Sequence, residues 1–185
     1  MGFIENFDFR ILDWIQANLK NPFFDTIMPL ITALGDGGFI WIIISVILLS
    51  LKKTRKYGFI LMVALILCFL IGNLGIKPLV ARTRPFNINT AFEILISKPK
   101  DFSFPSGHTM SSFAATIVLL YMDKKIGIIA FLLAFLIGFS RLYLYVHFST
   151  DVLAGVIIGI LIGILAIMLC KVIDKDLVSI NIFNK

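Results

Sequence analysis

Residues 140–170 read SRLYLYVHFSTDVLAGVIIGILIGILAIMLC, and this stretch decides which fold we predict. Its last nineteen residues, 152–170, carry no charge. A helix needs about 20 apolar residues to cross the hydrocarbon core of a bilayer. The twelve residues before this run include an arginine, a histidine and an aspartate. Because such side chains are costly beside lipid, they are usually retained there for function. The stretch therefore predicts a transmembrane helix that follows a functional site.

Further apolar runs indicate a membrane protein with several spans. The 185 residues are 59% hydrophobic and 15% charged, with a mean hydropathy of +0.98. A soluble domain of this size could not bury so much apolar surface. The other candidate runs are 22–34, 38–51, 57–76, 110–122 and 126–146, of which 22–34 is the weakest. We therefore predict an all-α polytopic membrane bundle with about six transmembrane helices, forming one domain over residues 21–175.

The two ends of the chain predict segments outside this bundle. Within residues 1–20, apolar side chains recur at helical spacing, at Ile4, Phe7, Ile11, Ile15 and Leu19. This spacing predicts an amphipathic helix lying on the membrane surface, although an ordinary packed helix would show the same pattern. Residues 176–185 are expected to form a cytoplasmic tail.

Basic residues at the ends of the runs predict how the chain is oriented. They form three groups after alternate spans: Lys52, Lys53, Arg55 and Lys56; Lys124 and Lys125; and Lys171, Lys175 and Lys185. The positive-inside rule places all three groups in the cytoplasm, together with the amino terminus if there are six spans. The net charge of +6 therefore reflects topology and does not indicate nucleic-acid binding. The remaining connections face outward, where further basic residues break the rule and suggest an anionic ligand.

Three of the outward segments, 77–85, 105–108 and 140–151, carry residues suited to phosphate chemistry. Lys77, Arg84 and Arg141 supply positive charges that can grip phosphate oxygens. Residues 105–108 read PSGH, a helix start where Ser106 can cap and the Gly107 amide can bind an anion. Arg82 lies in the first segment, where a solvated loop charge is expected.

The only two histidines of the chain also lie in these segments. His147 and Asp151 are four residues apart, so on a helix they share a face and the carboxylate can orient the imidazole. His108 supplies a second imidazole that can transfer a proton. The residues alone leave open which histidine attacks the phosphate.

These residues resemble the type 2 phosphatidic acid phosphatase family, whose motifs are K-x6-R-P, P-S-G-H and S-R-x5-H-x3-D. All eleven specified positions match, from Lys77 to Asp151. The resemblance implies a six-helix membrane phosphatase that uses no metal ion or other cofactor. It also implies that His147 is the nucleophile, that Asp151 orients it, and that His108 protonates the leaving group and then activates water. The phosphate would be held by Lys77, Arg84, Arg141, Ser106 and Gly107.

The resemblance also suggests a substrate class and a location. Small bacterial members include undecaprenyl-diphosphate phosphatases and phosphatidylglycerophosphate phosphatases. We expect an enzyme of the bacterial cell membrane with an outward-facing site, acting on undecaprenyl diphosphate. Phosphatidylglycerophosphate and phosphatidate are alternative substrates, and a protein that only binds or flips lipid head groups is the non-enzymatic alternative.

Two local predictions concern packing: Asp36 and its neighbouring glycines form a turn, and Gly155, Gly159 and Gly163 pack within the monomer or at a dimer seam. The oligomeric state stays open.

Overall fold

The computed structural model describes residues 2–183, with side chains through Val172, and contains no strand in that part of the chain. The all-α class is therefore as predicted. Nine α-helices occur in the described residues: α1 Phe3–Leu19, α2 Pro22–Leu34, α3 Phe39–Ser50, α4 Arg55–Leu67, α5 Lys77–Val80, α6 Pro85–Ile88, α7 Gly107–Met122, α8 Lys124–Tyr143 and α9 Ser149–Phe183. A short turn at Asp36–Gly38 joins α2 to α3, and π-helical turns at Cys68–Ile76 join α4 to α5. The predicted tail, 176–185, lies outside the residues whose side chains are described.

Helix α7 is the centre of the bundle and packs most extensively against α8 and α9. Its small residues are almost fully buried, among them Ala114 and Ala115. The glycines of α9 face it: a Cβ at Gly159 would lie 2.4 Å from the Met110 carbonyl oxygen, and one at Gly155 would lie 2.8 Å from that of Ser106. The prediction that this glycine stripe packs within the monomer is confirmed.

The predicted count of six membrane spans is not confirmed by the lengths of the described helices. In the described residues, three helical stretches are long and apolar enough to cross a bilayer: Arg55–Ile88, Lys124–Tyr143 and Ser149–Val172. A fourth candidate is the pair Pro22–Leu34 and Asp36–Ser50, which is bent by 44° at the turn between them. The run 22–34 is thus part of a bent pair and does not form a span of its own. Helix α7 has 16 residues and runs through the bundle interior between α8 and α9.

Described members of the basic groups predicted to share one side of the membrane, Lys56 and Lys171, do lie at one end of the bundle. Lys171 approaches the Tyr121 ring at 4.8 Å, and that ring contacts Tyr57 at 5.9 Å. Lys56 lies over the Tyr57 ring at 4.8 Å. The segments 77–85, 105–108 and 140–151 lie at the opposite end, where α5 follows α4, α7 begins and α8 ends.

Helix α1 lies at the same end as these three segments, so the prediction that the amino terminus lies with the basic groups is wrong. Its Gln16 donates a hydrogen bond to the Tyr143 carbonyl at the end of α8, at 2.7 Å. The reason is that α2 and α3 together make one bent path from the Tyr143 end to the basic end, where two spans had been expected. Buried Leu12 and Ile15 of α1 face the bundle, whereas Phe3 and Trp14 are exposed. The helix therefore presents apolar side chains both to the protein and away from it.

Candidate active site

A cavity of about 510 Å³ opens at the end of the bundle where the three segments meet. Helix α2 forms one wall, the loop between α6 and α7 forms another, and the ends of α5, α7 and α8 close the floor. The lining residues are Pro29, Thr32, Ala33, Asp36, Lys77, Arg84, Ile96, Ser97, Pro99, Asp101, Gly107, His108, Arg141 and His147. Six of the eight predicted site residues are among them; Ser106 and Asp151 lie behind the cavity surface.

Ser106 and Gly107 lie at the start of α7, as the PSGH sequence predicts. The Ser106 hydroxyl accepts hydrogen bonds from the Thr109 amide at 3.5 Å and the Thr109 hydroxyl at 2.9 Å. Ser106 is fully buried and acts as the helix cap. Gly107 reaches the cavity, where the unpaired amides of a helix start favour an anion. Ser106 therefore positions α7 and is not one of the residues that line the cavity.

Two of the three predicted phosphate-binding cations are joined by one carboxylate that sequence reasoning missed. Asp101 pairs with Lys77, and its other oxygen accepts a hydrogen bond from Arg84 Nη2 at 2.6 Å. Partial burial opposes the charged form of Asp101, but the hydrogen bonds and charges of Lys77 and Arg84 hold its pKa at about 2. The only sequence signal for this role is one acidic residue just before the PSGH segment. Asp101 therefore occupies the place between two cations that a substrate phosphate would need.

The third cation, Arg141, is buried with one nitrogen unpaired. Its Nη1 donates to the Thr32 hydroxyl of α2 at 2.5 Å, while its Nε has no hydrogen-bond partner. A buried donor without a partner is costly, because it has lost water and gained nothing in return. Arg141 thus retains unused hydrogen-bonding capacity at the wall of the cavity.

His147 lies in the connection between α8 and α9 and is almost fully buried. Its Nε2 lies 3.1 Å from Arg84 Nη1, and both residues line the cavity. Burial, and then the positive charges of Arg84 and Arg141, hold the pKa of His147 well below its ordinary value. The ring is therefore neutral near pH 7, and a neutral imidazole has a nitrogen lone pair with which to attack.

Asp151 is close to His147 but makes no hydrogen bond to it. Its Oδ2 lies 3.6 Å from His147 Nδ1, which has no partner. The same oxygen accepts from the Ser103 hydroxyl at 2.5 Å and from the Phe148 amide at 2.9 Å. The predicted pairing is thus a close approach without a hydrogen bond, and the Asp151 carboxylate is held by other donors.

His108, the second histidine, is bonded to a carboxylate from a distant segment. Its Nε2 lies 2.8 Å from Asp36 Oδ1, across 72 positions of sequence. Asp36 begins the turn Asp36–Gly38, and the next two residues, Gly37 and Gly38, have φ of 58° and 76°. The predicted turn is confirmed, and glycine suits these left-handed positions. The turn's role in holding His108 was not predicted, because nothing local in the sequence links the two.

Arg82 does not form the solvated loop charge that was expected. Its Nη1 donates to Asp151 Oδ1 at 2.6 Å, and its Nη2 donates to Asp8 Oδ2 at 2.7 Å. Its guanidinium also lies 4.0 Å from the centre of the Phe148 ring. The arginine is enclosed because α1 packs over this side of the site. The sequence had predicted α1 at the other end of the bundle, far from Arg82.

Comparison with known proteins places this geometry among membrane phosphatases. The family sequence model described as "PAP2 superfamily" matches residues 38–172. The chain is 36% identical to an undecaprenyl-diphosphatase of Sulfolobus acidocaldarius over 115 residues, which is 62% of this chain and 55% of that protein. It is 32% identical to the undecaprenyl-diphosphatase BcrC of Bacillus subtilis over 136 residues, which is 71% of this chain and 67% of that protein. The chain thus spans about half to two thirds of these relatives.

A solved structure resembles the chain over almost its whole length. It is the crystal structure of a transmembrane PAP2-type phosphatidylglycerolphosphate phosphatase from Bacillus subtilis, with a TM-score of 0.76 and 28% sequence identity. The likeness covers 95% of this chain and 88% of that one. The helical arrangement described above is therefore that of a solved membrane phosphatase.

Proposed function

This chain belongs to the PAP2 superfamily, and we propose from its cavity that it is an integral membrane lipid phosphatase acting through a phosphohistidine intermediate. One observation carries the proposal. A buried histidine, His147, lines a cavity that also contains Lys77, Arg84, Arg141 and a second imidazole, and its Nε2 lies 3.1 Å from Arg84 Nη1. A nucleophile beside a cluster of fixed cations is what transfer of a phosphoryl group requires.

In the first step, His147 Nε2 attacks phosphorus and the bond from phosphorus to the lipid-side oxygen breaks. The electron pair of that bond leaves with the oxygen, and His108 donates a proton to it. Lys77, Arg84 and Arg141 hold the other phosphoryl oxygens and stabilise the charge that develops on them. Asp151, 3.6 Å from Nδ1, lies where it stabilises the positive charge that the His147 ring gains.

In the second step, water attacks phosphorus and the bond between phosphorus and Nε2 breaks. His108, now deprotonated, accepts a proton from the water, and the electron pair returns to the His147 ring. The products are inorganic phosphate and the dephosphorylated lipid, and both histidines regain their starting states. The charge stabilisation in this scheme comes from the lysine and the arginines, so we propose that no metal ion or other cofactor takes part.

For the substrate, we propose undecaprenyl diphosphate, which would be converted to undecaprenyl phosphate. The relatives from Sulfolobus acidocaldarius and Bacillus subtilis support this choice by their names. The alternative substrates are phosphatidylglycerophosphate and phosphatidate. Of these two, phosphatidylglycerophosphate is favoured by the similarity to the phosphatidylglycerolphosphate phosphatase structure. We further propose that the chain lies in a bacterial cell membrane with the cavity facing outward. The basic groups at the other end of the bundle support that orientation.

The experiment that tests the function is phosphate release by the purified protein in detergent. Undecaprenyl diphosphate, phosphatidylglycerophosphate and phosphatidate are compared at equal mole fraction, with and without EDTA. We expect release from at least one lipid, fastest from undecaprenyl diphosphate and unchanged by EDTA. A His147→Ala variant should lose at least about 10³-fold in rate.

The outcomes separate the alternatives. A protein that only binds or flips head groups would release no phosphate from any of the three lipids. Equal release by the wild type and by His147→Ala would exclude the phosphohistidine mechanism. A large loss of rate with EDTA would contradict the metal-independent scheme, and a higher rate with phosphatidylglycerophosphate would replace the proposed substrate with the alternative.

A further inference from the structure

We infer that Asp8 and Arg82 are positioning residues for the Asp151–His147 pair, so that one residue of the amino-terminal helix α1 helps to orient the nucleophile. This inference rests on the proposed function, because it assigns Asp8 and Arg82 a role through His147. Neither residue lines the cavity. Both therefore act through Asp151 and do not touch the substrate.

Arg82 bridges two buried carboxylates that come from opposite ends of the chain. Its two terminal nitrogens donate to Asp151 Oδ1 at 2.6 Å and to Asp8 Oδ2 at 2.7 Å. Both aspartates are fully buried, whereas the arginine side chain is 21% exposed. A planar guanidinium can hold two carboxylates at a fixed angle, which a lysine cannot do. The bridge thus ties α1 directly to the carboxylate beside His147.

Asp8 also holds the beginning of α9. Its Oδ1 accepts from the Thr150 amide at 2.9 Å and from the Ser149 hydroxyl at 2.5 Å. Its Oδ2 accepts from the Thr150 hydroxyl at 2.6 Å. A carboxylate on the amides of a helix start is a cap, and here it comes from another helix. The capped residues lie between His147 and Asp151, so Asp8 fixes the turn that sets their separation.

Together these contacts decide which oxygen of Asp151 faces the histidine. Arg82 occupies Oδ1, while Ser103 and the Phe148 amide hold Oδ2 on the side of His147 Nδ1. With the bridge lost, the Asp151 carboxylate can rotate, and the His147 ring loses the charge that opposes its own positive charge during attack. A displacement of about 1 Å in such a group costs up to about 100-fold in rate.

The test compares two aspartates of the same helix. Asp8→Asn keeps the size and one oxygen but removes the charge that pairs with Arg82. Asp13→Asn is the matched control, because Asp13 is also on α1 and accepts from the Tyr145 hydroxyl at 3.0 Å, without contact to Asp151. We expect kcat to fall roughly 10- to 100-fold in Asp8→Asn, with KM within about threefold of wild type. Asp13→Asn should keep the wild-type kcat.

A second readout separates positioning from general damage. In rapid-quench experiments stopped with alkaline detergent, in which a phosphohistidine is stable, Asp8→Asn should slow formation of the phosphohistidine, with the folded fraction in detergent unchanged. The double variant Asp8→Asn with Arg82→Gln should be no slower than Arg82→Gln alone, because both act through the same carboxylate. If Asp8→Asn does not fold, Thr150→Val is the substitute, because it removes with little change in shape a hydroxyl that donates to Asp8 at 2.6 Å and accepts from Arg82 at 2.7 Å. This variant should lower kcat by about threefold to tenfold.

The inference is overturned if Asp8→Asn, or Thr150→Val in its place, keeps the wild-type kcat in a protein that hydrolyses lipid phosphate. It is also overturned if the Asp8 and Arg82 effects multiply, or if Asp13→Asn lowers kcat as much as Asp8→Asn does. Absence of phosphate release by the wild type overturns the proposed function first and this inference with it. An active wild type with an unaffected Asp8→Asn rejects the positioning role alone.

Discussion

The cavity has two sides that hold their charged groups in opposite ways. We call the first side the buried wall, which consists of His147, Arg84 and Arg141 with Asp151 behind them. The second side is the rim, which consists of His108, Asp36 and Asp101. Side chains of the wall are at most 3% exposed, whereas Asp36 and Asp101 are 67% and 52% exposed. A preorganised wall stabilises charge that develops in the reaction, and an exposed rim can exchange protons and move aside for a lipid head group.

The largest effect that tests this contrast comes from the rim histidine. We expect His108→Ala to lower kcat by about 10²- to 10⁴-fold, because proton transfer is lost in both steps. With a diphosphate substrate the leaving phosphate needs less protonation, so hydrolysis of the intermediate should become slower than its formation. Samples of this variant quenched in alkaline detergent, which preserves the bond between phosphorus and nitrogen, should then contain more phosphohistidine than wild type. A variant that lowers the rate without accumulating the intermediate would place His108 in the first step only.

The next effect compares the two carboxylates that accompany the histidines. Asp151→Asn should lower kcat by about 10²-fold, because the wall is rigid and nothing can replace the lost charge. Asp36→Asn should lower it by about tenfold, since an amide still accepts a hydrogen bond and water reaches this exposed site. Steady-state rates of both variants on one lipid provide the measurement. Equal losses would show that the rim is as preorganised as the wall.

These carboxylates also show what the sequence could and could not predict. The eight predicted site residues all come from three segments whose spacing is visible in the chain, and six of them line the cavity. Asp8, Asp36 and Asp101 belong to no motif, and each reaches the site through a tertiary contact. Asp36 meets His108 across 72 positions, and Asp8 meets Thr150 across 142. No local pattern reports a contact at such separations.

The placement of α1 was missed for a related reason. Hydropathy identified the apolar run 22–34. It did not show that this run continues into the next helical stretch through a bend of 44°. Because α2 and α3 make one bent path where two spans had been expected, the amino terminus lies at the other end of the bundle. Arg82 was then expected to be solvated, because the helix that covers it was thought to lie far away. Burial of a charged side chain depends on the whole fold, and a hydropathy window does not contain that information.

A smaller effect concerns Asp101, whose carboxylate lies between Lys77 and Arg84. A substrate phosphate or released inorganic phosphate must displace it to reach both cations. We therefore expect Asp101→Asn to lower the inhibition constant of inorganic phosphate by about tenfold, or ~1.4 kcal/mol. Glu93→Gln is the control, because Glu93 lies on the same loop and does not line the cavity. Unchanged inhibition in Asp101→Asn would mean that phosphate binds without displacing the carboxylate.

The smallest effect is on stability and compares the two histidines. Burial, followed by the charges of Arg84 and Arg141, holds the pKa of His147 well below its usual value of 6.5. Below pH 6.5 the unfolded chain therefore takes up a proton that the folded protein excludes, and the free energy of unfolding falls as the pH falls. Thermal unfolding in detergent should show the wild type losing roughly 3–5 °C more than His147→Gln between pH 7.5 and pH 5. Burial also lowers the pKa of His108, but the hydrogen bond with Asp36 opposes that shift, so His108→Gln should retain more of the wild-type loss than His147→Gln does. If the two variants had the same pH dependence, the wall and the rim would not differ in how they hold an imidazole.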